Sequence, residues 1–297
     1  VLGFGVIAGG VDVVNWGRVV NVVLSWVISP VMGGLFAYLV FQYINKAIFS
    51  TRRPLAHAKE LLPFIVSVVF FILSIAVCYK GLKNLHLDLE FSNVLLIAFV
   101  MGILGFFLSK VLVRYIPDDD SKDFAHQFNT TENLFKYLQI LTAFYIAFAH
   151  GSNDVANAVG PLAAVVSILD GGVVGMKVPM PIWILGLGGG FIVFGLMVWG
   201  YRVMATVGEN ITDITPSRGF CATFGAASVV LICSKMGLPI STTHTLVGSI
   251  IGVGLARGLP TLNLGIIKMI FISWVTTIPF TAIISMIFFK AFLLFLP

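Results

Sequence analysis

Several stretches of this chain, among them residues 61–79, 92–113 and 182–204, are long apolar runs of the length a helix needs to cross a bilayer, and nothing else in the sequence constrains the fold as strongly. Of the 297 residues, 58% are hydrophobic and only 10% are charged, so the expected fold class is all-α and the protein is expected to be polytopic in the membrane. The net charge of +5 is small for this length. Basic residues of membrane proteins collect in cytoplasmic loops, so that charge gives no reason to expect nucleic acid as a partner. Cys78, Cys221 and Cys233 lie in apolar runs and read as buried thiols.

Taken in order, residues 18–49 form an apolar run with Pro30 inside it, too long for one straight span and therefore kinked or split in two. Lys46, Arg52, Arg53 and Lys59 mark residues 46–60 as a cytoplasmic loop. Two spans follow, with a short mixed loop at 80–90 between them. Residues 114–133, with Asp118, Asp119, Asp120, Lys122 and Asp123, read as a solvated linker between a first part, 1–113, and a second, 134–297. The three adjacent aspartates lack the regular ligand spacing of a cation loop. Beyond the linker, residues 135–149 enter the membrane, 156–169 continue as a helix, and 171–181 form a Gly/Pro-punctuated loop. The glycines of 186–190 suit close helix contact. They are not read as a phosphate-cradling loop, because no Gly-Lys-Ser or Gly-Lys-Thr follows.

Two polar clusters interrupt this pattern. Residues 150–161 read His-Gly-Ser-Asn-Asp-Val-Ala-Asn-Ala-Val-Gly-Pro between apolar flanks. A charge at membrane depth costs about 3 kcal/mol or more, so Asp154 is expected to face a cavity or an ion path. Gly151 and Gly160 are expected to let the helix unwind there and turn half-helix ends toward a bound ion. A polar tie between two helices is the plainer alternative. In the second cluster, Lys235-Met236-Gly237 breaks an apolar run, and Leu238-Pro239-Ile240-Ser241-Thr242-Thr243-His244 opens a helix reaching Leu255. Pro239 suits its first turn, and hydroxyls beside unpaired backbone N–H groups make a ready anion site. Plain N-capping by Ser241 or Thr242 is the alternative there. His150 and His244 each fit a proton carrier or a buried hydrogen-bonded histidine.

The chain also repeats itself. Gly3, Gly5 and Gly9 match Gly252, Gly254 and Gly258 at an offset of 249, while Asn15, Gly17, Ser25 and Trp26 match Asn263, Gly265, Ser273 and Trp274 at 248. Duplicated halves of this kind are common in transporters. Extended upstream, the offset puts the counterpart of Asp154 before residue 1, so the sequence is expected to be a fragment lacking most of a first repeat.

Gly-Ser-Asn-Asp-Val-Ala-Asn-Ala at 151–158 and Gly-Leu-Pro-Ile-Ser-Thr-Thr-His at 237–244, supported by Pro-Ser-Arg-Gly-Phe at 216–220 and Val247-Gly248-Ser249, resemble the inorganic phosphate transporter family. The resemblance implies an inverted-repeat secondary transporter with broken helices at the substrate site. Such a protein is not an enzyme and needs no cofactor. It moves inorganic phosphate by symport with sodium or protons, as a homodimer, multi-pass in the plasma (inner) membrane. Family members often carry a glutamate where this chain has Thr223, which removes a charge from the coupling site.

Phosphate carries one to two negative charges at neutral pH, so its site needs N–H donors, hydroxyls and a compensating cation. Ser152, Asn153, Ser241, Thr242 and Thr243 are the expected phosphate ligands. Asp154 repels a bare anion, so its expected role is to hold sodium, with Asn153, Asn157 and Thr223 as neutral oxygen ligands and His150 and His244 as proton or hydrogen-bond groups. Sulfate, similar in size and charge, is the nearest alternative substrate. An intramembrane hydrolase using Ser241, His244 and Asp154, and a passive anion channel, are the readings from other classes.

Overall fold

The computed structural model describes residues 2–78, 89–116, 123–170 and 181–295, and among them every regular element is helical. The helices are α1 (Leu2–Gly9), α2 (Trp16–Ile44), α3 (Pro54–Ala76), α4 (Phe91–Arg114), α5 (Phe124–Leu169), α6 (Ile182–Glu209), α7 (Pro216–Lys235), α8 (Thr242–Arg257) and α9 (Leu264–Phe295). Seven of them, all but α1 and α8, are long and apolar enough to cross a membrane. Of the expected loops at 80–90 and 171–181, residues 80–88 and 171–180 lie outside the described residues, as do Asp118, Asp119, Asp120 and Lys122.

The side-chain pattern of α2 shows how the bundle is built. Its buried positions are Ser25, Ser29, Pro30, Gly33, Ala37, Phe41 and Ile44, while Val20, Leu24, Val27, Val31, Leu35 and Leu39 are exposed. The buried set recurs every three or four residues, so it forms one face, and that face is mostly small. This is the arrangement lipid favours, because acyl chains are as apolar as leucine and only close packing rewards contact between helices. Pro30 therefore sits inside one long helix rather than dividing it in two.

Helix α7 takes this logic furthest. Gly219, Ala222, Gly225, Ala226, Ala227 and Ser228 are all buried, so α2, α5 and α8 approach it closely. A Cβ on Gly225 would stand 2.9 Å from that of Ala37, and Phe220 stacks on Phe224 at 5.7 Å between centroids. On one flank α3 and α4 form a hairpin, α3 also leans on α5, and α6 packs on α5 from elsewhere. Of the glycines at 186–190, Gly188 makes the expected close contact, against Val159, whereas Gly186, Gly189 and Gly190 face open space.

The repeat is visible in three dimensions. Helix α1, a 3-10 turn at Val11–Val13 and α2 correspond to α8, a 3-10 turn at Leu259–Thr261 and α9. Asn15 Oδ1 accepts from Arg18 N at 3.1 Å, and Asn263 Oδ1 accepts from Ile266 N at 3.2 Å, so the same residue caps the same helix twice. The left-handed glycines at the preceding turn are Gly10 (φ 84°) and Gly258 (φ 112°), which corrects the sequence pairing of Gly9 with Gly258. Backbone geometry selects the glycine with positive φ, whatever the nearest glycine in the alignment. The packing is reciprocal as well: α2 crosses α8 with Gly34 against Gly252, and α1 meets α9 with Gly3 against Ala282. Gly3 matches Gly252 at the offset of 249 and Gly34 matches Ala282 at 248, so each contact joins the same pair of repeat positions.

Three local expectations change. Helix α5 is continuous through Gly151 and Gly160, because unwinding inside an apolar segment would leave backbone groups unpaired at several kcal/mol each, more than the roughly 1 kcal/mol a helical glycine costs. The break lies in the other cluster, at residues 236–241, where Gly237 takes φ 69° and Leu238 N donates to Cys233 O at 3.0 Å to close α7. Pro239 consequently precedes α8 instead of sitting in its first turn. The linker is also shorter than residues 114–133 suggest. Helix α5 begins at Phe124, and Gln127 and Thr131 are buried within it, tied by a 2.8 Å bond from Thr131 Oγ1 to Gln127 O.

Candidate functional site

The site is built where the broken connection meets α5. Ser241 is extended (φ −94°, ψ 116°) and caps α8, its Oγ accepting from His244 N at 3.3 Å. Its own N–H donates to Ser29 Oγ on α2 at 3.2 Å, and its carbonyl accepts from Thr245 Oγ1 at 2.7 Å. The capping question left open by the sequence is thus decided for Ser241. That leaves the Thr242 hydroxyl free for another partner, and it donates to Asp154 Oδ2 at 2.9 Å.

This bond joins the two signature clusters, whose residues here are 88 positions apart. Thr242 is 3% exposed and Asp154 is half-buried, so the bond is partly shielded from water, and a charge-assisted contact there is worth more than in bulk solvent. Asn153 Nδ2 approaches Asp154 Oδ1 at 3.5 Å, the long limit for such a bond. His150 stands one turn before Asp154 and is its titratable neighbour. No group of three His, Cys, Asp or Glu side chains comes together among the described residues. A cation at Asp154 would therefore have to complete its shell largely with neutral oxygens.

The remaining expected site residues are distributed less tightly. Ser152 Oγ donates to Ala149 O at 3.1 Å within α5. Asn157 and Thr243 are exposed. Thr223 forms a hydroxyl pair with the fully buried Thr142 at 2.7 Å and donates to Gly219 O at 2.8 Å. His244 stacks on Trp274 of α9 at 3.6 Å between centroids and 21° between planes, with Nδ1 buried and unpartnered. The hydrolase reading finds no support in the geometry: Ser241 Oγ accepts from a backbone amide, Asp154 accepts from Thr242, the His244 ring stacks on an indole, and no hydrogen bond links the three side chains to one another among the described residues.

Sequence reasoning missed Glu132, which lies in the stretch read as linker. Its Oε1 accepts from Thr215 Oγ1 at 3.0 Å and Ser217 Oγ at 2.8 Å, and its Oε2 accepts from Ser217 N at 2.9 Å. A carboxylate at the N-terminus of α7 suits both the unpaired N–H groups and the helix dipole. The readable signal was Thr215-Pro216-Ser217, a helix start with proline first and hydroxyls on either side. Ser29, Thr142 and Trp274 were missed for a different reason, since each acts only through a partner distant in sequence.

The sequence pattern of the phosphate transporter family matches residues 1–285. The chain belongs to the phosphate transporter family. A relative from Pyrococcus horikoshii, named as a phosphate permease, is 44% identical over 295 residues, covering 99% of this chain and 70% of its own length. The chloroplastic inorganic phosphate transporter 2-1 of Arabidopsis thaliana is 39% identical over 308 residues, covering 97% of this chain and 52% of its own length. A solved structure titled "The sodium-dependent phosphate transporter" superimposes with a TM-score of 0.87 at 41% identity, covering 99% of this chain and 71% of that one. As a member of that family, the chain is a multi-pass membrane transporter and not an enzyme.

Proposed function

We propose that this phosphate transporter family member imports inorganic phosphate together with sodium, the two meeting between Asp154 and the first turn of α8. The observation that carries the reading is the Thr242–Asp154 hydrogen bond, which sets an anion-binding helix start against a carboxylate. The carboxylate makes no sense for phosphate alone, because it repels the anion. With sodium on Asp154 the local charge is cancelled, and phosphate can take donors from Ser241, Thr242 and Thr243 and from N–H groups near Ser152 and Asn153. Each solute then binds better in the presence of the other, which is the thermodynamic content of coupling. The sodium-dependent title of the structural neighbour supports the same cation. Asn153 and Asn157 supply neutral oxygens on this reading, whereas Thr223, bonded to Thr142 twelve residues and about 18 Å before Asp154 on the continuous α5, does not reach the same ion. We place the protein in the plasma (inner) membrane as a homodimer, with the apolar span of α9, none of whose residues is fully buried, offering its open face to lipid or to a second copy.

The test is phosphate uptake by proteoliposomes with and without an inward sodium gradient, with sulfate as competitor. Sodium-stimulated uptake that excess sulfate leaves unchanged is expected for the wild type, and Asp154→Asn is expected to abolish it. Normal sodium-driven uptake by Asp154→Asn refutes the assignment of Asp154. Uptake that follows a pH gradient and ignores sodium transfers the coupling to protons and to His150 or His244.

A further inference from the structure

Beside the broken connection lies a cavity of about 480 Å³ that the mechanism above does not use. One wall is the first half of α2, with Arg18, Asn21 and Ser29. The opposite wall is the end of α7 with Ser234, followed by the backbone of Gly237, Leu238, Pro239 and Ile240. Arg18 is its one charged lining residue, is exposed, and has no ion-pair partner among the described residues. Lys235, next to Ser234, is turned onto the Phe91 ring at 4.7 Å and adds no charge to the lining. The inner end of the cavity is Ser29, whose Oγ holds the Ser241 N–H at 3.2 Å. Helix α2 is 29 residues long, so Arg18 and the basic stretch beginning at Lys46 stand at opposite ends of a rod of about 43 Å. With the basic stretch inside, the cavity faces outside.

We infer that this cavity is the outer vestibule through which phosphate reaches Ser241 and Thr242, and that Arg18 is its anion-selecting residue. The inference rests on the transport reading above. A guanidinium at the mouth of a cleft with apolar walls has its field focused into the cleft and raises the local concentration of anions, an effect that weakens as salt screens it. Asn21 and Ser234 offer neutral donors along the way. Ser29 is a positioning residue that keeps the Ser241 N–H pointing at the vestibule until an anion replaces the hydroxyl as its acceptor. Arg18 therefore acts on capture and leaves turnover alone.

The experiment measures initial rates of phosphate uptake in proteoliposomes at constant sodium, with ionic strength varied by choline chloride. Arg18→Gln is expected to raise KM for phosphate about tenfold at low ionic strength, the lower end of what such focusing supplies, with kcat unchanged. The difference should shrink toward unity at high ionic strength, and Arg18→Lys should restore most of the wild-type KM. Should Arg18→Gln fail to insert, the wild-type KM must itself rise with ionic strength. A wild-type KM for Arg18→Gln at low ionic strength, or a wild-type KM indifferent to ionic strength, overturns the vestibule and leaves the symport reading intact. Absence of sodium-driven uptake by the wild type overturns both.

Discussion

A close backbone approach between α2 and α8 gives the sharpest quantitative prediction. Replacing Gly252 with alanine places a methyl carbon 2.6 Å from the Gly34 carbonyl carbon and 2.7 Å from its Cα, and the carbonyl oxygen is nearer still. Non-bonded carbons rest at about 3.5–4.0 Å, so α2 and α8 must separate by roughly 1 Å. No rotamer offers relief, since all three atoms belong to the backbone of α2. Separation spreads along the seam, because Gly248 rests on the Pro30 backbone and Gly33 on Thr245 in the same crossing. Overpacking of this kind costs about 1–3 kcal/mol, and a contact with rigid backbone belongs at the upper end. At about 2–4 °C per kcal/mol for a chain of a few hundred residues, Gly252→Ala should lower Tm by roughly 4–10 °C. The assay is thermal unfolding of the detergent-solubilised protein. Gly5→Ala is the control, because its new methyl meets nothing within 4 Å, so it should not lower Tm, and the better helix propensity of alanine should raise it by up to about 2–4 °C. The repeat adds a second arm, since Gly3→Ala meets the Ala282 backbone as Gly252→Ala meets Gly34 and should also destabilise. A Tm for Gly252→Ala within 1 °C of wild type would mean that the two helices do not touch through their backbones, and the reasoning fails.

Thr242→Val keeps the shape of the side chain and removes the donor to Asp154 and a hydroxyl ligand for phosphate. A hydrogen bond to a charged group is worth about 1.5–3 kcal/mol, so half-saturation for phosphate should rise by one to two orders of magnitude, with Thr242→Ser close to wild type. Phosphate-titrated uptake at saturating sodium checks this, and equal phosphate dependence of the valine and serine variants counts against it. Glu132→Gln retains the volume but sets an amide N–H₂ against the three donors of Thr215 and Ser217, so it should destabilise by about 1–3 kcal/mol and lower Tm by several degrees. An unchanged Tm would show that the start of α7 is held by water or by other residues.

Much of this architecture was legible in the chain. The spans are, because length and continuous apolarity are local properties that a bilayer reads one segment at a time. So is the functional chemistry: an acid, amides and hydroxyls stand out against apolar flanks, and Asp154 and Thr242 were singled out in separate clusters before any contact joined them. The repeat was legible as spaced glycines, asparagines and tryptophans, although its register at Gly10 needed the positive φ of that residue. Glu132 was hidden because a glutamate among Asn133, Thr131 and the aspartates looks like any solvated acid. Its role arises only when α7 starts beside it.

Alone, then, the sequence determined an all-helical membrane protein, its two polar clusters and the residue types that handle an anion and a cation, all of which depend on composition over a span or a turn. Tertiary structure alone decided which of Ser241 and Thr242 caps α8 and which reaches Asp154, where the helix breaks, and that Thr223 pairs with Thr142. Each of these is a competition between partners distant in sequence for one hydroxyl or one unpaired backbone group. The winner depends on how closely the small faces of α2, α5, α7 and α8 let their backbones approach, and that distance is a property of the packed bundle.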